Sequence, residues 1–210
     1  MRPWAAASRP GTVLLGPGGT CKRPLALSFL AAGTDDQHCH YVTAATEADA
    51  IAETAATLGL DSELAVTSLR DDDPERGAAT GEIGLVSELR RRIDASESPD
   101  RLVFDGLDVF GEDRQDAVRR LVAAVREYDA TALLLGDEND PSFATGVHSL
   151  LRTESTDGIT TLRVERRYGT DADRRPVELW ADADGFHAGP RRRTPPDNLT
   201  RAANRSVGIA

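Results

Sequence analysis

The chain has 210 residues, 40% of them hydrophobic and only 5% aromatic, which is enough for one domain with a core of Val, Leu, Ile and Ala. A net charge of −10 argues against broad electrostatic binding to nucleic acid, and the apolar runs fall far short of a membrane span. Trp4 to Ala7 is too short for the apolar segment of a signal peptide, and Cys21 and Cys39 make no disulfide framework, so the expected location is cytoplasmic.

In chain order, Met1 to Pro10 reads as a loose lead-in. Thr12 to Leu15 is a short apolar run followed by glycines, the pattern of a buried strand. Arg23 to Ala31 reads as a helix, with Pro24 in its first turn and Gly33 ending it. His40 to Thr43 is the next strand, and Thr46 to Leu58 an Ala-rich helix closed by Gly59. Leu64 to Ser68 is a short strand, and Asp71 to Ala79 a charged loop. Gly81 to Ile93 carries Ile83, Leu85, Val86 and Leu89 at helical spacing. Arg101 to Asp105 is an apolar strand ending in a carboxylate. Arg114 to Tyr128 is an amphipathic helix with Val118, Leu121, Val122 and Val125 on one side, and Thr131 to Leu135 is a further buried strand. Alternating strands and helices with short connections predict an α/β fold with a mainly parallel central sheet flanked by helices.

The pattern changes after Gly136. Val147 to Thr153, Thr160 to Arg167 and Pro176 to Ala181 read as strands with no helices between them. Turn signals at Thr156-Asp157-Gly158 and from Gly169 to Arg175 separate them, and Asp182 to Gly185 leads into a short end at Phe186-His187. The expectation is an antiparallel meander added to one edge of the sheet. The proline-rich stretch at 189–210 reads as a disordered basic tail, so the domain spans 11–188.

The chemistry lies in Gly16-Pro17-Gly18-Gly19-Thr20-Cys21-Lys22-Arg23. A strand, a glycine-rich turn, a lysine and a helix start together outline a phosphate-binding loop. Backbone N–H groups curl around the anion, and the lysine reaches the outer phosphates. Against the pattern G-x-x-x-x-G-K-[ST], Gly16 and Lys22 fit. Cys21 stands where the second glycine belongs, and Arg23 where the Mg²⁺-binding hydroxyl belongs. Lys22 is the single lysine among 25 basic residues, kept where a compact ammonium suits phosphate better than a guanidinium. The acidic, lysine-poor composition resembles that of proteins from salt-accumulating halophiles, where screening makes a large like-signed charge tolerable.

Four segments in order, GTVLLGPGGTCKR, HYVTAATEADAIAETAATLGLD, RLVFDGLDVF and the C-terminal piece from Gly146 to Ala188, resemble RecA-superfamily P-loop ATPases of the KaiC/RadA group. The likeness is greatest to single-domain haloarchaeal KaiC-like proteins. Within the last segment, Asp157-Gly158-Ile159, Leu162-Arg163-Val164, Arg174-Arg175-Pro176 and Asp184-Gly185-Phe186 follow the family outline. The resemblance implies a RecA-like P-loop domain with ATP at the loop, Lys22 on the phosphates and Asp105 on the metal side, holding Mg²⁺ through water. It also implies a glutamate pair just after the second strand to polarise the attacking water. Tyr41-Val42-Thr43-Ala44 is followed instead by Ala45 and Thr46, and Glu47 comes one residue late.

Arg23 offers donors and no acceptor for Mg²⁺ but could supply a positive charge in its place. Cys21 adds a Cβ where backbone must approach phosphate. The expected function is therefore a degenerate nucleotide-binding domain of regulatory or adaptor type. It would bind ATP with little or no hydrolysis and work through a protein partner or self-association, without nucleic acid or membrane. The alternatives are an active ATPase with Glu47 or Asp108 as stand-in base, and an interaction module that binds no nucleotide. Asp105 alternatively caps a turn or the helix after it. His38-Cys39-His40 supplies too few ligands for a closed metal site, and Cys21 alternatively acts as a redox-sensitive thiol. Arg191-Arg192-Arg193 reads as a solvated basic run.

Overall fold

Thr12 and three apolar residues between Gly11 and Gly16 form the central strand β1 (Thr12–Leu15), and all four are buried. In a computed structural model, residues 11–33, 37–57, 64–69, 86, 87, 89–91, 94, 99–137, 147–167, 175–182 and 185–189 are described. The lead-in at 1–10, the loop from Asp71 to Ala79, much of the helix expected from Gly81 to Ile93 and the tail beyond Gly189 lie outside the described residues.

After β1 come α1 (Lys22–Ala31), β2 (Cys39–Thr43), α2 (Ala48–Thr57), β3 (Leu64–Ser68) and β4 (Arg101–Asp105). A 3-10 segment at Leu107–Asp113 leads into α3 (Arg114–Glu127), followed by β5 (Thr131–Gly136), β6 (Ser149–Thr156), β7 (Ile159–Arg167), β8 (Val177–Asp182) and β9 (Gly185–Ala188). The described strands form one sheet in the order β3-β2-β4-β5-β1-β6-β7-β8-β9. From β3 through β6 every pairing is parallel, and from β6 onward every pairing is antiparallel. This is an α/β architecture with a mainly parallel sheet.

Strand alternation distributes each central strand between two cores. Val13 and Leu15 of β1, Leu102 and Phe104 of β4, and Ala132 and Leu134 of β5 join the face covered by α3. Leu14, Val103, Leu133 and Leu135 point to the other face, where α1 and Ile51 of α2 pack. Burial on both faces is why these strands read as continuous apolar runs rather than alternating ones. Each fully buried Leu or Val contributes about 2 kcal/mol relative to exposure. On α3, Ala117, Val118, Leu121, Val122 and Val125 recur at three- and four-residue spacing and are buried, while Arg119 and Arg120 face solvent.

The expected C-terminal meander forms, with two differences. Its first strand, β6, begins at Ser149 and lies parallel to β1, so it completes the parallel sheet before the chain reverses. The sequence could not reveal this because parallel pairing with β1 is a contact across 137 positions (Thr12 with Ser149). The Phe186-His187 end is a ninth strand pairing with β8, and Trp180 stacks on His187 with ring centroids 5.5 Å apart. The turn at Asp157-Gly158 has φ of 52° and 75°, the two positive angles that a two-residue hairpin turn favours. The 3-10 segment has no counterpart in the sequence reading. Two of its apolar residues, Leu107 and Phe110, fill the core beside Phe104, whose ring stacks on Phe110 at 5.7 Å.

Candidate functional site

The carboxyl ends of β1, β4 and β5 open on one edge of the sheet, where a parallel arrangement leaves a crevice. A cavity of about 410 Å³ lies there, lined by Gly18, Gly19, Thr20, Cys21, Lys22, Arg23, Pro24, Ala45, Asp105, Gly106, Asp108 and Asp137. Six of the eight residues expected to touch phosphate line it, together with Asp105. Gly16, which is buried, and Pro17, which is exposed, are not among the lining residues.

Backbone shape makes the loop. A Cβ on Gly16 would stand 2.0 Å from Thr153 Oγ1 and 2.6 Å from the Thr153 carbonyl, so only glycine lets β1 leave the sheet this close to β6. Thr20 is 1% exposed; its hydroxyl donates to the Pro17 carbonyl at 2.7 Å and lies 2.7 Å from Thr153 Oγ1. Thr20 thus clamps the loop to β6. A Cβ at Gly18 or Gly19 would meet nothing within 4 Å, so the loop's outer turn is open. Cys21 adopts the left-handed conformation that glycine favours, with φ 59° and ψ 19°. Left-handed backbone costs a residue with a Cβ about 1–2 kcal/mol. Cys21 is the residue before α1, and its side chain makes no capping bond, so the positive end of α1 faces the cavity without a side-chain cap.

Lys22 lies folded under the loop, 9% exposed. Its ammonium donates to the Gly16 carbonyl, to the Gly136 carbonyl at 3.0 Å and to Asp137 Oδ1. An ammonium has three N–H donors, and all are engaged.

The opposite wall is built around Asp105, 8% exposed at the end of β4. Its Oδ2 accepts from Arg23 Nε at 2.9 Å and from the Tyr41 hydroxyl at 3.0 Å. Arg23 also donates to Thr46 Oγ1. Burial works against the Arg23 charge, but the hydrogen bond to Asp105 and its charge outweigh that and raise the guanidinium above its ordinary pKa. Burial, then the Asp105 charge, drive the Tyr41 hydroxyl far upward, which fixes it as a donor. Asp105 is therefore neither a helix cap nor a turn cap; its carboxylate binds a guanidinium.

The fit to Mg²⁺ fails in this arrangement. Position 23 supplies no oxygen, and one Asp105 oxygen, Oδ2, is taken by Arg23 and Tyr41. The fit to a phosphate chain is better, given open glycines and a helix N-terminus. Among the described residues no group of three or more His, Cys, Asp or Glu is arranged to hold a metal ion. His40 is instead buried in the sheet, with Nε2 2.9 Å from Thr67 Oγ1, and burial lowers its pKa below the usual 6.5.

Neither models of known protein families nor characterised proteins match this chain.

After β2, the expected glutamate pair is replaced by a local turn. Thr43 Oγ1 accepts from Ala45 N at 3.2 Å and Thr46 N at 3.0 Å. Ala45 lines the cavity without any polar side-chain atom, and Glu47 is not among the lining residues. Asp108 does line it; its Oδ2 accepts from the Asp137 N–H at 2.7 Å, while Oδ1 is buried with no hydrogen-bond partner.

Sequence reasoning missed Tyr41, Thr153 and Asp137. A signal existed for Asp137, since Leu133-Leu134-Leu135-Gly136-Asp137 repeats the apolar-strand-then-carboxylate pattern of Leu102 to Asp105. Tyr41 was a polar hydroxyl on a buried strand in need of a partner. Thr153 carried no signal, because its contact with Thr20 spans 133 positions. No helix of the described residues is long and apolar enough to cross a membrane.

Proposed function

We propose that the chain is a degenerate RecA/KaiC-like P-loop domain. It binds ATP or a related phosphorylated ligand without metal, turns it over little or not at all, and acts as a regulatory or adaptor protein through a protein partner or self-association. The observation that carries this reading is the Arg23 Nε to Asp105 Oδ2 ion pair at 2.9 Å. A fixed guanidinium stands at the metal-side acid, so that acid is paired with a cation of the protein itself rather than left open to a metal ion. Phosphoryl transfer needs metal-neutralised phosphates and a positioned nucleophile. Arg23 offers no oxygen for the first, and Ala45 and Thr46 offer no carboxylate for the second.

The support for nucleotide is the conjunction of parts at one sheet edge. The glycine loop follows β1, the acid ends β4, and Lys22 lies between them on the first turn of α1. The halophile-like charge balance calls for measurement in high KCl. An active ATPase is the second reading, and it rests on Asp108, the cavity carboxylate with a buried, unpartnered oxygen.

The test is calorimetric titration of ATP with EDTA or with Mg²⁺, paired with a phosphate-release assay, on the wild type, Arg23→Thr and Lys22→Ala. The expected result is wild-type binding indifferent to Mg²⁺, lost in Lys22→Ala, with phosphate release at background. Arg23→Thr, which restores a hydroxyl, is expected to make binding Mg²⁺-dependent. Hydrolysis by the wild type that disappears in Lys22→Ala would instead establish the ATPase. No binding of any nucleotide would leave the interaction module, because a ligand that binds the native state must raise its melting temperature.

A further inference from the structure

One contact in the cavity competes directly with a phosphate. The Asp137 carboxylate, at the end of β5, rests on the Lys22 ammonium, whose other two donors go to the Gly16 and Gly136 carbonyls. Asp137 is held there from behind, because its backbone N–H donates to Asp108 Oδ2 at 2.7 Å. Its side chain is 66% exposed, so the carboxylate stands at the open side of the buried lysine. The loop that would wrap an inner phosphate, Gly18 to Cys21, approaches the same lysine from the other strand.

We propose that Asp137 occupies the outer-phosphate position on Lys22, so that the site selects a nucleoside diphosphate over a triphosphate. The inference rests on the nucleotide-binding reading above and specifies its ligand. A two-phosphate chain can end within the glycine loop, close to the Lys22 charge, without displacing Asp137. A third phosphate must either displace Asp137 or stand against it. Two cations, Lys22 and Arg23, face three carboxylates, Asp105, Asp108 and Asp137, across the cavity. Arg23 is already bound to Asp105, so little cationic charge is left for a terminal phosphate. Where a metal bridges the outer phosphates it would relieve this repulsion, but Arg23 takes the metal-side acid. Like charges at contact range in a partly desolvated site repel strongly enough to decide between two ligands.

The experiment is calorimetric titration of the full chain with ADP and with ATP, in EDTA and high KCl, on the wild type, Asp137→Asn and Lys22→Ala. Asp137→Asn keeps the shape and removes the charge, and an exposed side chain makes loss of folding a small risk; equal melting curves check this. The wild type is expected to bind ADP about tenfold more tightly than ATP. Asp137→Asn is expected to gain about tenfold for ATP and to change little for ADP. Lys22→Ala is expected to lose both. ATP binding as tight as ADP in the wild type, or an equal change for both ligands in Asp137→Asn, overturns the selection and leaves nucleotide binding standing. Binding of neither nucleotide to the wild type overturns the inference together with the reading beneath it.

Discussion

The glycine loop and the acidic wall facing it share one edge of the sheet, yet they are shaped by different forces. From Gly16 to Cys21 the shape is a matter of backbone. Gly16 is pressed against Thr153, Gly18 and Gly19 are open, and Cys21 holds a left-handed conformation that its side chain resists. Around Asp105 the shape is a matter of side-chain charge, with Arg23 and Tyr41 converging on one carboxylate oxygen. The loop accommodates Cys21 by placing it in a left-handed backbone conformation. The wall is set by the partners of one carboxylate, Arg23 and Tyr41. Backbone geometry is over-determined by many neighbours and survives one wrong residue. A charge site is defined by a few atoms, and Arg23 alone is enough to change what it binds.

Substitutions that act on one side only can break this contrast. The largest effect is expected at Gly16→Ala, where the new Cβ meets the carbonyl of Thr153 and cannot be relieved by rotating a side chain. Such overpacking should cost about 3 kcal/mol, read as a lower midpoint in thermal or urea unfolding. An unchanged midpoint would mean that β6 does not shape the loop.

Tyr41→Phe tests the wall. It removes a buried donor to Asp105 and should cost about 2 kcal/mol in urea unfolding, since hydrogen bonds to charged groups are the stronger class. A loss below about 0.5 kcal/mol would show that Arg23 alone satisfies the carboxylate. The smallest effect, and of opposite sign, is expected at Cys21→Gly. Relieving φ 59° should stabilise the fold by about 1 kcal/mol and raise the melting temperature. A destabilised Cys21→Gly would show that the thiol packs usefully and that the backbone is not strained.

Most of the parallel part of the fold was legible as sequence. Thr12–Leu15, Leu64–Ser68 and Arg101–Asp105 have the bounds read from the sequence; in β1 and β4 the signal is a run of apolar residues buried on both faces, whereas β3 is a partly exposed edge strand. The helix starts are shifted by one or two residues: α1 starts at Lys22 rather than Arg23, and α2 at Ala48 rather than Thr46, while Leu58 lies outside the described residues. At the start of α2 the reason is visible, since Thr43 bonds the Ala45 and Thr46 N–H groups into a turn before the helix can begin. The role of β6 was not legible. An apolar strand looks alike whether its neighbour runs parallel or antiparallel, and the β1 register that decides it is a long-range contact.

The loop from Gly16 to Arg23 was readable because its requirement is local, consisting of glycines for the turn, a lysine at a fixed offset and a helix immediately after. The departures at Cys21 and Arg23 were readable for the same reason. The sequence by itself thus determined the α/β pattern, the loop and the absence of an oxygen ligand at position 23. Only the tertiary structure decided what took the ligand's place. Arg23 meets Asp105 across 82 positions, and Lys22 meets Asp137 across 115. Both pairings exist because parallel strands β1, β4 and β5 end at one edge and bring distant side chains within hydrogen-bond reach. No spacing along the chain encodes that proximity; it follows from strand order, which long-range packing sets.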